Sequence, residues 1–157
     1  MSSIFTKIVA GEIPSYKIAE DEQYLAFLDA MPLVKGHTLV IPKKETDFIF
    51  DLENEDFKNL WSFAQTVAKK LEKAYPSQRI AVAVVGLEVP HAHIHLIPID
   101  KMDDMNFKNE SLKLSGDEYK VIQNTIINSQ NIILARSKKF DKIFLKTNIL
   151  TLIIKDI

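Results

Sequence analysis

Three of the chain's four histidines fall within five residues. The stretch "VPHAHIHLIP", Val89 to Pro98, sets His91, His93 and His95 at alternate positions, with Ala92, Ile94 and Leu96 between them. Side chains alternate faces along a strand that rises about 3.3 Å per residue, so the three rings are expected on one face, about 6–7 Å apart. The hydrocarbon side chains then point the other way, into a core. The histidine face is expected to be wet or ligand-lined, because burying three polar rings without partners costs a few kcal/mol each.

Imidazole near neutral pH has three uses: metal ligand, general acid or base, and nucleophile. Histidines at i and i+2 on a strand can ligate zinc, but metal-bound histidines usually lean on carboxylates, and "PHAHIHLIP" contains none. A row of surface histidines without function is a third possibility. Phosphoryl chemistry uses the spacing most fully: one ring attacks phosphorus while its neighbours donate hydrogen bonds to the nonbridging oxygens. No metal or cofactor is needed for that in principle.

The rest of the chain must position these rings. At 157 residues it is the length of one domain with a real core. The formal net charge of −1 provides no broad basic field for nucleic acid and no polybasic membrane patch. There is no cysteine, hence no disulfide and no thiolate metal site. The start, "MSSIFTKIVAGEIP", lacks the pattern of a secretion signal, and no run reaches the roughly 18 apolar residues of a membrane span. A cytoplasmic protein is expected.

"SIFTKIVAGEIP" reads as a short helix stopped by Gly11 and Pro14. "SYKIAE" and "QYLAFLD" read as two strands, "MPLVKG" as a loop, and "HTLVIPK" as a third strand. From about Glu55 to Tyr75, the residues Phe57, Leu60, Trp61, Ala64, Val67, Ala68 and Leu71 make one apolar stripe at helical spacing. "RIAVAVV" and "HAHIHLIPI" are the fourth and fifth strands, joined by "GLEVP". "LSGDEYKVIQNTIINS" has the Ser115 to Glu118 capping-box spacing and then helical intervals. The whole predicts an α+β domain over residues 1–129, with a five-stranded, mostly antiparallel sheet, one long helix and short terminal helices. Residues 130–157 change character, with six Lys/Arg against two Asp/Glu, and are expected to form a cationic, apolar extension that docks, is disordered or meets a partner.

At this point the residues resemble the histidine triad family. "HAHIHLI" fits its alternation of histidine with hydrophobic residues, and "IFTKIVAGEIPSYKI" and "AFLDAMPLVKGHTLVIPKK" are similar to its upstream half. The resemblance spans residues 3 to about 98. It implies a fold whose two subunits join sheets in a homodimer. It also implies hydrolysis or nucleotidyl transfer at the α-phosphate of nucleotide conjugates, such as nucleoside phosphoramidates or dinucleoside polyphosphates. Carried onto these positions, His93 would be the nucleophile forming a nucleotidyl-histidine intermediate. His95 would contact the α-phosphate, His91 would hold His93 in its tautomer, and His37 would support the triad. Asp29 would bind the ribose hydroxyls, and Ile4, Phe5, Ile8, Phe27 and Val89 would line the purine nucleotide site.

The sequence also departs from the family. Many members carry Cys-x-x-Cys near the start as half of a zinc site, where this chain has Ser3, Ile4, Phe5 and Thr6, so that zinc is not expected. The segment before the triad is often longer and more polar than Gly86-Leu87-Glu88-Val89-Pro90. Leu87 cannot donate to a phosphate oxygen, and Glu88 near one would repel it. A silent nucleotide-binding module and, further off, a histidine-ligated metal hydrolase therefore stand as alternatives.

Overall fold

The structure is a computed structural model that describes residues 2–129; the expected extension over residues 130–157 lies outside the described residues. Helix α1, Ile4–Val9, starts at Ser3, whose hydroxyl caps the Thr6 amide. It ends at Val9 with Ala10 as its cap, and Gly11 beyond takes the left-handed conformation (φ +78°) common just past a helix end. Strands β1 (Lys17–Glu20), β2 (Tyr24–Leu28) and β3 (Thr38–Pro42) follow, then helix α2 (Asn54–Ala74), β4 (Arg79–Ala83), β5 (Ile94–Ile99) and helix α3 (Gly116–Ile127). Among these described elements no helix is long and apolar enough to cross a membrane.

The five strands form one sheet in the order β1-β2-β3-β5-β4, and every neighbouring pair is antiparallel. Its two faces sort by residue parity. Tyr24, Ala26 and Leu28 of β2, Val40 of β3, and Ile94 and Leu96 of β5 face α2 and α3, where they meet Leu60, Ala64, Val67 and Leu71. Phe57, Trp61 and Ala68 pack at the margin of this core, so the predicted stripe does face the sheet. Full burial of Leu60, Val67 and Leu71 is worth about 1.5–3 kcal/mol each. On the opposite face, Leu25 and Phe27 of β2 and Leu39 and Ile41 of β3 gather with Phe5 and Ile8 of α1.

The fifth strand is shorter than the sequence predicts: it begins at Ile94, not at His91. The β3–β5 register pairs Leu39 with His95 and Val40 with Ile94. Continued outward, it would set Ala92 against Pro42, which has no N–H to donate. The Ala92 amide turns instead to the Thr46 carbonyl (2.7 Å), and the Pro42 carbonyl is taken by the His91 ring (2.8 Å).

Helix α3 opens with the predicted capping box between Ser115 and Glu118. Its Tyr119 ring stacks on Tyr16, with centroids 4.7 Å apart, and its hydroxyl donates to the backbone carbonyls of Asp29 (3.0 Å) and Ala30 (3.2 Å). Gln123 donates to the carbonyl of Lys17 (2.8 Å). The segment behind the triad thus clasps the corner that carries Asp29.

Candidate active site

All four histidines meet beside α1. His37 immediately precedes β3 and His95 lies within β5, on the sheet face away from α2. His93 and His91 precede β5 on the irregular stretch created at Pro42. Of the two expectations for this face, wet or ligand-lined, the wet one fails, for the rings are buried: His91 is 0%, His93 6% and His95 8% exposed, and His37 1%. The cost is met because each ring has a partner.

Those partners dictate which nitrogen carries the proton. A carbonyl only accepts, so the His91 carbonyl, 2.6 Å from His93 Nδ1, receives a hydrogen bond from that nitrogen. In the neutral ring of His93 the lone pair is then on Nε2. The Leu33 amide donates to Nδ1 of His37 (3.2 Å), so the neutral His37 ring carries its proton on Nε2. That proton points at Nδ1 of His95, 3.0 Å away. The His95 proton is consequently on its own Nε2. Burial pushes His37 down to about 4. Burial, then the neighbouring His93 and His37, pushes His95 to about 4 against the opposing pull of Asp29. Both rings are neutral at pH 7, and the assignment is consistent.

Rings of His93 and His95 meet edge to face, with centroids 4.8 Å apart. The Nε2 atoms of both have no hydrogen-bond partner among the described residues. Neither atom is among the buried unpaired ones there, Ser15 Oγ and Trp61 Nε1, so each retains an opening to solvent. Two adjacent rings thus leave one lone pair and one N–H without a partner among the described residues, which suits attack on phosphorus beside a donor to its oxygen.

Phe5, Ile8 and Phe27 belong to one buried apolar cluster with Val89 packed against it, and Phe5 meets His93 edge-on with centroids 5.2 Å apart. Ile4, read from the sequence as part of the same group, is half exposed and lies outside that cluster. Asp29 follows β2; one oxygen accepts the Met31 amide (2.9 Å) and the other lies 3.5 Å from His37 Nε2. In the shortened loop, Leu87 and Glu88 are both exposed.

Sequence reasoning did not find Phe107, whose ring stands edge-on to His95 with centroids 5.1 Å apart. Its loop has no pattern to flag it. Nor did it give a role to Ser3, Thr6 and Glu45, which gather around the far side of His91.

Asp29, His37 and His95 place one ligand atom each within 4.8 Å of one another. Their chemistry does not fit a metal. The Leu33 N–H occupies Nδ1 of His37, so a cation on Nε2 would require a doubly deprotonated ring. The zinc that Cys-x-x-Cys holds in many members does not fit either: neutral Ser3 and Thr6 hydroxyls are not among the usual donors of zinc.

A model of the HIT domain matches residues 10–102. An uncharacterized HIT-like protein of Borreliella burgdorferi is 36% identical over 82% of this chain and 97% of its own length. A relative from Schizosaccharomyces pombe, named adenosine 5′-monophosphoramidase, is 38% identical over 62% of this chain and 74% of its own. The crystal structure of a Hit-like protein of Bartonella henselae superposes with a TM-score of 0.71 at 30% identity, covering 82% of this chain and 96% of that one. With four histidines converging on an antiparallel α+β sheet and this degree of likeness along most of its length, the chain belongs to the histidine triad family.

Proposed function

We propose that the protein cleaves nucleotide conjugates at the α-phosphate through a covalent nucleotidyl intermediate on His93. The observation that carries this reading is the 2.6 Å hydrogen bond from His93 Nδ1 to the His91 carbonyl, which turns the Nε2 lone pair outward beside His95. In the first step Nε2 bonds to phosphorus, and the leaving group departs with the electron pair and takes a proton from solvent, which the attacking water restores in the second step. His95 Nε2–H donates to a nonbridging oxygen, whose charge grows in the transition state. Water then bonds to phosphorus, the N–P bond breaks, and the nucleoside monophosphate leaves. An acceptor other than water turns the same step into transfer.

Other features support the same reading. The cluster of Phe5, Ile8, Phe27 and Val89 offers a purine base an apolar surface next to the rings, with exposed Ile4 of α1 as a further contact. Asp29, at the end of β2, has carboxylate lone pairs to spare for ribose hydroxyls. A homodimer belongs to the proposal too, because β4 lies at the sheet edge and Val82, Val84 and Val85 are exposed there. So does a cytoplasmic setting, where nucleotide conjugates are at hand.

Incubation with adenosine 5′-phosphoramidate tests it. Release of AMP, a quenched adduct mapped to His93 by mass spectrometry, and loss of at least about 10³-fold in turnover on His93→Ala are expected. Tight binding without AMP release would leave a nucleotide-binding module, and unchanged turnover in the variant would end the proposal.

A further inference from the structure

The ring of His91 is fully buried, and its Nδ1 meets Ser3, which leads on to Thr6 of the same turn and to the distant Glu45. Ser3 Oγ lies 2.9 Å from His91 Nδ1. The same hydroxyl oxygen accepts the Thr6 amide (3.1 Å) and lies 3.1 Å from Thr6 Oγ1. Thr6 in turn donates its hydroxyl proton to the Glu45 carboxylate, which also accepts the Ser3 amide at 3.0 Å. These hydrogen bonds, that of Thr6 foremost, hold the Glu45 carboxyl below its usual range.

The protons in this network have one arrangement when His91 is neutral. The Pro42 carbonyl can only accept, so His91 Nε2 donates to it and Nδ1 must accept. The Ser3 hydroxyl proton therefore goes to His91. Thr6 Oγ1, not receiving that proton, gives its own to Glu45. The carboxylate is the end of the chain, acceptor-only while ionised, and it holds the Thr6 hydroxyl and the Ser3 amide together. Loss of that acceptor leaves the Ser3 amide and the Thr6 hydroxyl without their common partner, which releases the first turn of α1 and with it the Ser3 oxygen seated on His91. The His91 backbone carbonyl is the acceptor that holds His93 Nδ1–H. Phe5, on the same turn of α1, touches both His91 (5.8 Å) and His93 (5.2 Å).

We propose that Glu45, acting through Thr6 and Ser3, is a positioning residue that orients His91 and, by way of the His91 carbonyl, the ring of His93. The proposal rests on the reading of His93 as nucleophile. It assigns the start of α1 a part in the chemistry, beyond anchoring a helix to the sheet.

Glu45→Ala is expected to lower kcat for adenosine 5′-phosphoramidate by about 10- to 100-fold with KM within about twofold. Nitrogen-15 imidazole spectra of the same variant should show His93 Nδ1–H broadened or shared between tautomers, where the parent protein shows one. Glu45→Gln keeps an acceptor oxygen for Thr6 and should recover most of both signals. Should Glu45→Ala fold poorly, Thr6→Val removes the hydroxyl link with the carboxylate in place and is expected to act alike. A fall in thermal stability with kcat and the His93 resonance unmoved would mean a structural brace only and would overturn the proposal. If the parent protein releases no AMP, the nucleophile reading falls; the His93 spectrum still decides whether Glu45 controls that ring.

Discussion

Nε2 of His37 stands 3.0 Å from Nδ1 of His95, while the Leu33 amide points at the other nitrogen of His37. The backbone thus selects the tautomer of one buried ring, and that ring selects the tautomer of the next. Replacing His37 by Ala leaves the Leu33 N–H and His95 Nδ1 without partners in the interior, which costs about 1–3 kcal/mol each at most. Turnover should fall about 10- to 100-fold as His95 samples the wrong tautomer. Steady-state kinetics alongside chemical denaturation measure both effects; unchanged turnover would show that His95 needs no such guide.

Stability should depend on pH in a defined window. His37 and His95 titrate near 4 in the fold, against about 6.5 in the unfolded chain, and burial lowers His91 as well. Above about 6.5 neither state binds these protons and stability is full. As pH falls from 6.5 toward 4, the unfolded chain takes up protons that the native state refuses, so stability drops until the folded groups titrate. Urea midpoints between pH 7 and 4 should report uptake of about two protons on unfolding from His37 and His95 alone, and about one fewer in His37→Ala.

Gly36 has φ +87°, and a Cβ there would come within 2.8 Å of the Tyr75 ring and 3.3 Å of Pro98. Gly36→Ala meets backbone strain of roughly 1–2 kcal/mol in addition to that contact. Because the residue immediately precedes His37, the variant should lose activity along with thermal stability. A melting temperature equal to that of the parent would show that the turn relaxes freely.

Phe107 covers the edge of His95 while staying half exposed itself. Phe107→Ala should change stability by less than about 1 kcal/mol, since little area is lost from water. His95 should then react faster with diethylpyrocarbonate, followed by peptide mass spectrometry, and larger leaving groups should be better tolerated. Equal modification rates would mean that the ring shields nothing.

How much of this was legible beforehand depends on distance along the chain. The alternation in "HAHIHLI" announced both the histidine cluster and the core face of Ile94 and Leu96, because strand parity is a local property. Helix α2 and the Ser115–Glu118 box were equally local. The start of β5 was misplaced since it depends on Pro42, whose missing donor acts across a strand pair. That the histidine face is buried and not wet is non-local for a similar reason: the rings depend on Leu33, Pro42 and Ser3, partners that no spacing rule brings together. Glu45 lies 39 residues from Thr6 in sequence, and that contact exists only once α1 has docked.

The family pattern ends at residue 102, yet the Tyr119 hydroxyl grips the carbonyls of Asp29 and Ala30 from α3. Signature and working unit are therefore of different lengths. Grafting residues 10–102 onto a relative's closing helix would transplant every ring nitrogen from His37 to His95 while leaving behind the clasp on the acidic corner. On the proposed reading, a chimera of that kind, which also gives up Ser3, Phe5 and Thr6, should lose both the clasp beside Asp29 and the support of His93.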